Sequence, residues 1–151
     1  MEETKNFTKK SQGLQYIILS FIFWVIVDYI TVWHARVAEW ISYMPFILFL
    51  YLGIVLIFYF FINKDWSEKR LFIVMLIVMY AFEILIWFNP LLFNLFLFIP
   101  GSLLLISIWG CLTFIPLWIV NRTLKEHKWQ VICYLLWILV ALIMLILVLS
   151  S

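Results

Sequence analysis

The chain has 151 residues, of which 68% are hydrophobic, 21% aromatic and only 12% charged. An average soluble domain is about 45–50% apolar and about 25% charged, so this composition excludes an ordinary soluble domain and predicts an integral membrane protein. The net charge of +2 is small, and the basic residues lie in short loops, so nucleic acid is not an expected partner. We predict one all-α bundle.

Five apolar segments are long enough to cross a bilayer, since a helix of about 20 residues spans its hydrocarbon core. We predict a cytoplasmic tail at residues 1–13 and one transmembrane helical domain at residues 14–151. The predicted transmembrane helices are Leu14–Trp33, Tyr43–Ile62, Leu71–Phe88, Leu103–Val120 and Trp129–Leu149.

Two of the connections have unusual composition. Residues 34–42 are amphipathic and contain no helix breaker, so they form either two more turns of the first helix or a short interfacial segment. Pro45 would then fall in the first turn of the second helix, where proline is tolerated. Residues 89–102 are apolar but broken by Pro90 and Pro100, which predicts a turn with a short interfacial or re-entrant piece.

The basic residues are distributed unevenly between the two ends of the predicted bundle. Only Arg36 falls at the end that contains residues 34–42 and 89–102. Because positively charged loops stay in the cytoplasm, the asymmetry predicts that the N-terminus is inside, the C-terminus is outside, and the protein lies in the cell (cytoplasmic) membrane. The nine residues at the other end are Lys5, Lys9, Lys10, Lys64, Lys69, Arg70, Arg122, Lys125 and Lys128.

Two carboxyl groups fall inside predicted transmembrane helices. Asp28 and Glu83 each precede the end of their helix by five residues, and those helices run in the same direction, so both should lie at one depth in the outer half. A charge at mid-bilayer costs about 2.5–3.5 kcal/mol, so such groups face the bundle interior and usually mark a function. We expect at least one to be protonated or neutralised by a bound cation or ligand. We also expect Asp28→Asn and Glu83→Gln to leave folding nearly intact. The alternative is a structural role in holding neighbouring helices together.

Further polar residues at the same end complete the candidate ligand-binding or ion-binding site. His34, Arg36 and Glu39 lie in the amphipathic segment, where Arg36 could bind phosphate or carboxylate, and Asn89 lies in the next turn at that end. The alternative for the amphipathic residues is a solvated interfacial helix. His127, in the last basic loop, has no partner that the sequence reveals.

Small residues predict a close helix contact in the fourth predicted helix. Ser107, Gly110 and Cys111 fall at helical spacing and form a narrow face that another helix can approach. The many aromatic residues are expected in the membrane interface and in core packing rather than around a cofactor.

The sequence contains no nucleophile motif, glycine-rich phosphate loop or metal-ligand set, so we expect neither a cofactor nor a bound metal. The favoured function is a non-enzymatic binding, assembly or regulatory subunit. Its expected partners are membrane lipids and either a second copy or another membrane protein. One alternative is a transporter of a proton, a cation or a small solute that uses Asp28 and Glu83. Another is an enzyme that acts on a lipid headgroup at the outer leaflet. A cavity open to both sides would favour transport, and a dry, plugged one would favour the subunit. A cleft that opens sideways to outer-leaflet lipid would favour the enzyme.

Overall fold

The structure, a computed structural model, describes residues 10–30, 37–64 and 66–149. Those residues form helices and connecting turns and contain no strand, so the predicted all-helical fold is confirmed for them. The helices in chain order are α1 (Lys10–Asp28), α2 (Val37–Ile62), α3 (Glu68–Leu85), α4 (Pro90–Phe93), α5 (Phe98–Val120) and α6 (Lys128–Leu149).

Within the described part of the chain, four helices are long and apolar enough to span a membrane, which indicates a membrane protein. They are α1, α2, α5 and α6. The helix α3 is not among them because its 18 residues include four charged ones, of which Glu68, Lys69 and Arg70 occupy its first three positions. The fifth crossing and the orientation therefore stay predictions.

The second helix begins earlier than predicted. It starts at Val37, so residues 37–42 belong to α2, and the prediction that they extend the first helix or form a separate helix is wrong. Their position at the membrane interface stays a prediction. Residues 31–36 lie outside the described part of the chain. Pro45 is consequently inside α2 rather than in its first turn. One proline removes a single backbone hydrogen bond, and the helix formers before it, together with tertiary packing, keep the chain helical across it.

The turn between the third and fourth predicted helices contains a short helix, α4, as the two prolines suggested. Pro90 is its first residue, and Pro100 lies in the first turn of α5, which begins five residues before the predicted start at Leu103. Proline is tolerated at both places because the first N–H groups of a helix have no partner within it. Gly101 allows α4 to pack closely, since a Cβ there would lie 2.7 Å from the Leu91 Cβ.

The core lies around α5, which packs against α1, α3, α4 and α6. The helix α3 buries one stripe at helical spacing, formed by Leu71, Met75, Met79, Phe82 and Glu83. By contrast, α6 packs on α5 through residues such as Tyr134, and large apolar side chains are exposed around much of its remaining surface.

The two ends of the bundle differ in chemistry. The Trp118 indole of α5 donates a hydrogen bond to Glu68 of α3, which places the end of α5 beside the start of α3. Gly13 of α1 packs against Tyr59 near the end of α2 at the same side. We call this side the basic end, because the loops that it carries, at residues 63–64, 66–67 and 121–127, contain basic residues. The last turns of α1 and α3 therefore lie at the opposite end.

Candidate functional site

Asp28 and Glu83 line one cavity at the end of the bundle opposite the basic end. Asp28 is the last residue of α1, and Glu83 lies in the last turn of α3. Each is only 8% exposed. The cavity has a volume of about 610 Å³ and is bounded by α1, α2, α3, α4 and α5. The two carboxyl groups thus line one interior space, although Glu83 precedes the end of α3 at Leu85 by two residues rather than the predicted end at Phe88 by five.

Glu83 is held by hydrogen bonds at both carboxyl oxygens. Its Oε2 accepts a hydrogen bond from Asn89 Nδ2 at 2.8 Å, and its Oε1 accepts one from Trp109 Nε1 at 3.1 Å. The orientation of the Asn89 amide is fixed, because its Oδ1 accepts the backbone N–H of Leu91 at 3.1 Å and only its nitrogen remains to face Glu83. The carboxylate position is therefore set by α3, α4 and α5 together.

The turn after α3 brings Asn89 back to Glu83. Phe88 adopts a φ of 47°, in the left-handed region, and the chain reverses there. The Asn89 backbone N–H then donates to the Glu83 carbonyl at 2.9 Å, and the Asn89 side chain caps α4. Asn89 thus ends the turn after α3, caps the start of α4 and orients the Glu83 carboxylate.

Tyr51 of α2 lines the cavity together with the two acids. Its side chain is close enough to Asp28 to hydrogen-bond with it and is within electrostatic range of Glu83. The Tyr51 ring stacks on Trp24 of α1, with ring centroids 5.1 Å apart. Trp24 precedes Asp28 by four residues and therefore shares its helix face. The Tyr51 hydroxyl is thus a polar group in the cavity wall, held by aromatic packing.

Aromatic rings form a continuous wall of the cavity. Trp24 meets Trp109 edge-on at 4.6 Å, Trp109 contacts Phe82 at 5.7 Å, and Phe82 contacts Trp87 at 6.2 Å. With Tyr51, five aromatic side chains line the space beside the two carboxyl groups. The remaining described lining is apolar except for Asn89. It consists of Val27, Pro90, Leu91, Leu104, Leu105, Ile108 and Leu112.

Buried apolar residues close the cavity toward the basic end. Met79 and Met75 lie one and two turns before Glu83 on α3, and Val55 lies one turn after Tyr51 on α2. All three side chains are fully buried, and none of them lines the cavity. Phe58, one turn further along α2, is 1% exposed. The described residues thus leave no continuation of this cavity through the bundle.

The six residues proposed from the sequence have different outcomes. Asp28, Glu83 and Asn89 come together in the cavity lining. Glu39 is exposed in the first turn of α2 and does not line the cavity. His34 and Arg36 lie outside the described residues. The ligand-binding role of the three residues in the cavity stays a prediction.

Sequence reasoning missed the aromatic part of the site. The position of Trp24, four residues before Asp28, was the one available signal, because that spacing places both residues on one helix face. Tyr51 and Trp109 lie on other helices, and a single sequence does not give the rotation of one helix against another. His127 was also misjudged, since its ring stacks on Trp118 at 4.6 Å and its Nε2 lies 3.6 Å from Glu68 Oε1.

The cavity has polar groups that would attract a positively charged or hydrogen-bond-donating group. It presents two carboxyl groups and a phenol, while the described lining contains no Lys, Arg or His. Comparisons with protein-family models, with curated proteins and with solved structures found no match to this chain. Its function therefore has to be inferred from the chemistry of the cavity.

Proposed function

We propose that this chain is a five-span protein of the cytoplasmic membrane, with its N-terminus inside and its C-terminus outside. We propose further that it acts as a non-enzymatic binding, assembly or regulatory subunit that holds a small ligand in the outer half of the membrane. The observation that carries this proposal is the shared burial of Asp28 and Glu83 in one cavity of about 610 Å³ that is closed toward the basic end.

The exposed surface of α3 supports a fifth crossing. Its 18 residues are about 27 Å long at 1.5 Å per residue, close to the thickness of the hydrocarbon core. Opposite its buried stripe it exposes Ile73 and Ile77, which suit contact with lipid. Its charged residues at positions 68–70 lie at the basic end, where long side chains can reach the membrane surface.

The positions of the basic loops support the orientation. Lys64, Lys69 and Arg70 flank the start of α3, and Arg122, Lys125 and Lys128 flank the start of α6, which the Glu68–Trp118 contact places at the same end of the bundle. Positive charge at one end favours a cytoplasmic location for that end. The Asp28–Glu83 cavity would then face the outer side.

The closed inner side favours binding over transport. A transporter of this size would have to open a path past Met75, Met79 and Val55, all of which are fully buried. An enzyme acting on a lipid headgroup would need a reacting group in the cavity. Of the residues considered for that role, Asp28 and Glu83 line the cavity, Glu39 does not, and His34 and Arg36 lie outside the described residues. We therefore retain the binding subunit as the proposed function.

Cysteine accessibility tests this proposal directly. Ile108 lines the cavity, and Ile77 is an exposed residue on the proposed lipid-facing side of α3. In a background with Cys111→Ala and Cys133→Ala, we expect Ile108→Cys to react with a small membrane-impermeant thiol reagent from outside only. The control Ile77→Cys should react from neither side, because hydrocarbon does not support thiolate formation.

The other outcomes separate the alternatives. Modification of Ile108→Cys from both sides would support a transporter. Modification from inside only would contradict the orientation. If neither side gave modification while the variant remained folded, the cavity would be inaccessible and the binding function would be wrong.

A further inference from the structure

We propose that the ligand of the Asp28–Glu83 cavity is an organic cation that carries an ammonium group on an apolar body. This inference rests on the proposed binding function and names the chemical class of the ligand. The juxtaposition that points to it is a carboxylate held only by N–H donors, a second carboxyl group in the same cavity, and a wall of five aromatic rings.

The hydrogen bonds of Glu83 are suited to an ionised carboxylate. Trp109 Nε1 is a donor that cannot accept a hydrogen bond, and Asn89 Nδ2 also only donates. Each oxygen of Glu83 therefore faces a donor, and an ionised carboxylate can accept at both. Each oxygen retains capacity for a further hydrogen bond from a ligand.

An ionised Glu83 would need compensation for its negative charge inside the bundle. Neutral donors stabilise a buried carboxylate, but a buried charge is costly unless an opposite charge also pairs with it. The described lining supplies no Lys, Arg or His, and its other acid, Asp28, adds to the negative potential. A positively charged ligand would supply the missing compensation.

The aromatic wall selects an ammonium group over a metal ion. Cations bind over the faces of Trp, Tyr and Phe rings within about 6 Å of the ring centre, which is the arrangement used for alkylammonium groups. A hard metal ion instead takes about six or more oxygen ligands. The described residues contain no group of three or more His, Cys, Asp or Glu side chains placed to hold a metal.

The size of the cavity indicates that the cation has apolar substituents. A volume of about 610 Å³ is far larger than the volume of one water molecule, about 30 Å³. Most of the lining is aromatic or aliphatic, so an inorganic ion would leave it unfilled. An alkylammonium ligand could be the headgroup of a membrane lipid or a free organic cation, and both present the same chemistry to the site.

A charged probe and its neutral isostere test the inference. The full-length protein is placed in nanodiscs of phosphatidylglycerol and titrated with phenyltrimethylammonium or with tert-butylbenzene, which has the same shape without the charge. Binding is followed by tryptophan fluorescence, since Trp24, Trp87 and Trp109 line the cavity, and the signal of empty nanodiscs is subtracted. We expect the cation to bind at least about tenfold more tightly than the isostere, a difference of about 1.4 kcal/mol.

Carboxyl variants show whether the cavity causes the preference. Asp28→Asn and Glu83→Gln should each weaken binding of phenyltrimethylammonium about tenfold, as expected for loss of a charge–charge attraction. The matched control is Glu126→Gln, which removes an exposed carboxylate from the loop at the basic end and should leave the affinity unchanged. If Glu83→Gln fails to fold, Asp28→Asn decides the question.

Each outcome has a definite meaning. Equal binding of the isostere, or unchanged affinity in the folded carboxyl variants, would overturn the cation inference while leaving a binding cavity in place. Binding of neither probe would overturn the inference and count against the binding function itself.

Adding phosphatidylcholine to the nanodiscs separates the two possible sources of the ligand, a lipid headgroup and a free organic cation. A weaker apparent affinity supports a lipid headgroup as the occupant, and an unchanged affinity supports a free organic cation.

Discussion

At the scale of single residues, Glu83 is more constrained than its sequence position suggests. Both of its oxygens accept hydrogen bonds from N–H donors, whereas a glutamine would present an NH₂ group to one of those donors. The expectation from sequence that Glu83→Gln leaves folding nearly intact therefore has to be revised. We predict that it lowers the free energy of unfolding by about 1–3 kcal/mol, the cost of an unsatisfied buried polar group. Denaturant or thermal unfolding in detergent would measure the change.

A double-mutant cycle identifies the cause. Trp109→Phe removes the donor that faces Oε1 while keeping an aromatic ring, so the cost of Glu83→Gln should be smaller in the Trp109→Phe background. Asp28→Asn, which changes the carboxyl group on α1, is the matched control for Glu83→Gln. Strictly additive effects of the Glu83 and Trp109 substitutions would show that the hydrogen bond does not cause the destabilisation.

Gly110 is a residue of α5 that lies in close contact with α6. A Cβ placed there would lie 2.7 Å from ring atoms of Tyr134, whereas a Cβ on Gly53 would meet nothing within 4 Å. We predict that Gly110→Leu destabilises the bundle by about 1–3 kcal/mol, as overpacking does, and that Gly53→Leu has little effect. Thermal unfolding of both variants in detergent makes the comparison. Tyr134→Ala should partly rescue Gly110→Leu, and equal stability of the two glycine variants would contradict the close contact.

The acids of the candidate site could be predicted from the sequence, but their contacts with side chains of other elements could not. The equal depth of Asp28 and Glu83 follows from counting residues to the ends of parallel helices, and that count does not depend on how the helices are rotated. The contacts of Trp109 and Tyr51 depend on helix rotation, which hydrophobic periodicity does not define when a helix is apolar on every side. The Asn89–Glu83 bond depends on the left-handed conformation of Phe88, a non-glycine residue that gave no signal in the sequence.

At the scale of elements, a cluster at the basic end joins three parts of the chain. Glu68 at the start of α3 accepts a hydrogen bond from Trp118 of α5 at 2.9 Å, and the Trp118 ring stacks on His127 at an interplanar angle of 6°. His127 lies in the turn just before α6. The cluster therefore fixes the start of α3, the end of α5 and the approach to α6 relative to one another.

Removing the indole donor of that cluster should loosen it without removing the ring stack. We predict that Trp118→Phe lowers the free energy of unfolding by about 1.5–3 kcal/mol, the contribution of a hydrogen bond to a charged group. The matched control is Trp129→Phe, since Trp129 is mostly exposed. Unfolding in detergent should separate the two variants. If Trp118→Phe were as stable as the wild type, Glu68 would have to find another partner.

The order of the helices was easier to predict than their ends. Each of the five apolar segments is helical over most of its described residues, but α2 and α5 each begin at least five residues before the predicted start. Both errors came from treating a proline as a boundary. The helix α2 continues across Pro45, and α5 accommodates Pro100 in its first turn, where no backbone hydrogen bond is lost.

At the scale of the whole molecule, the exposed apolar surface and the positions of the basic loops predict that α3 crosses the membrane. Position 64 precedes α3 at the basic end, and Asn94 follows it beyond α4. If α3 crosses the membrane, these two positions lie on opposite sides. In the background lacking Cys111 and Cys133, we predict that Lys64→Cys is labelled by an impermeant reagent from inside only, and Asn94→Cys from outside only.

Two further positions complete the topology. Lys125→Cys should be labelled from inside and Ser150→Cys from outside, because α6 lies between them and its 22 residues are long enough to cross. Labelling of Lys64→Cys and Asn94→Cys from the same side would mean that α3 does not cross and that the chain has four spans. The Asp28–Glu83 cavity would then need a new assignment of its outer and inner faces. With five spans, the end of the cavity that Asp28 and Asn89 line faces the outer side, so a ligand would enter from outside or from the outer leaflet.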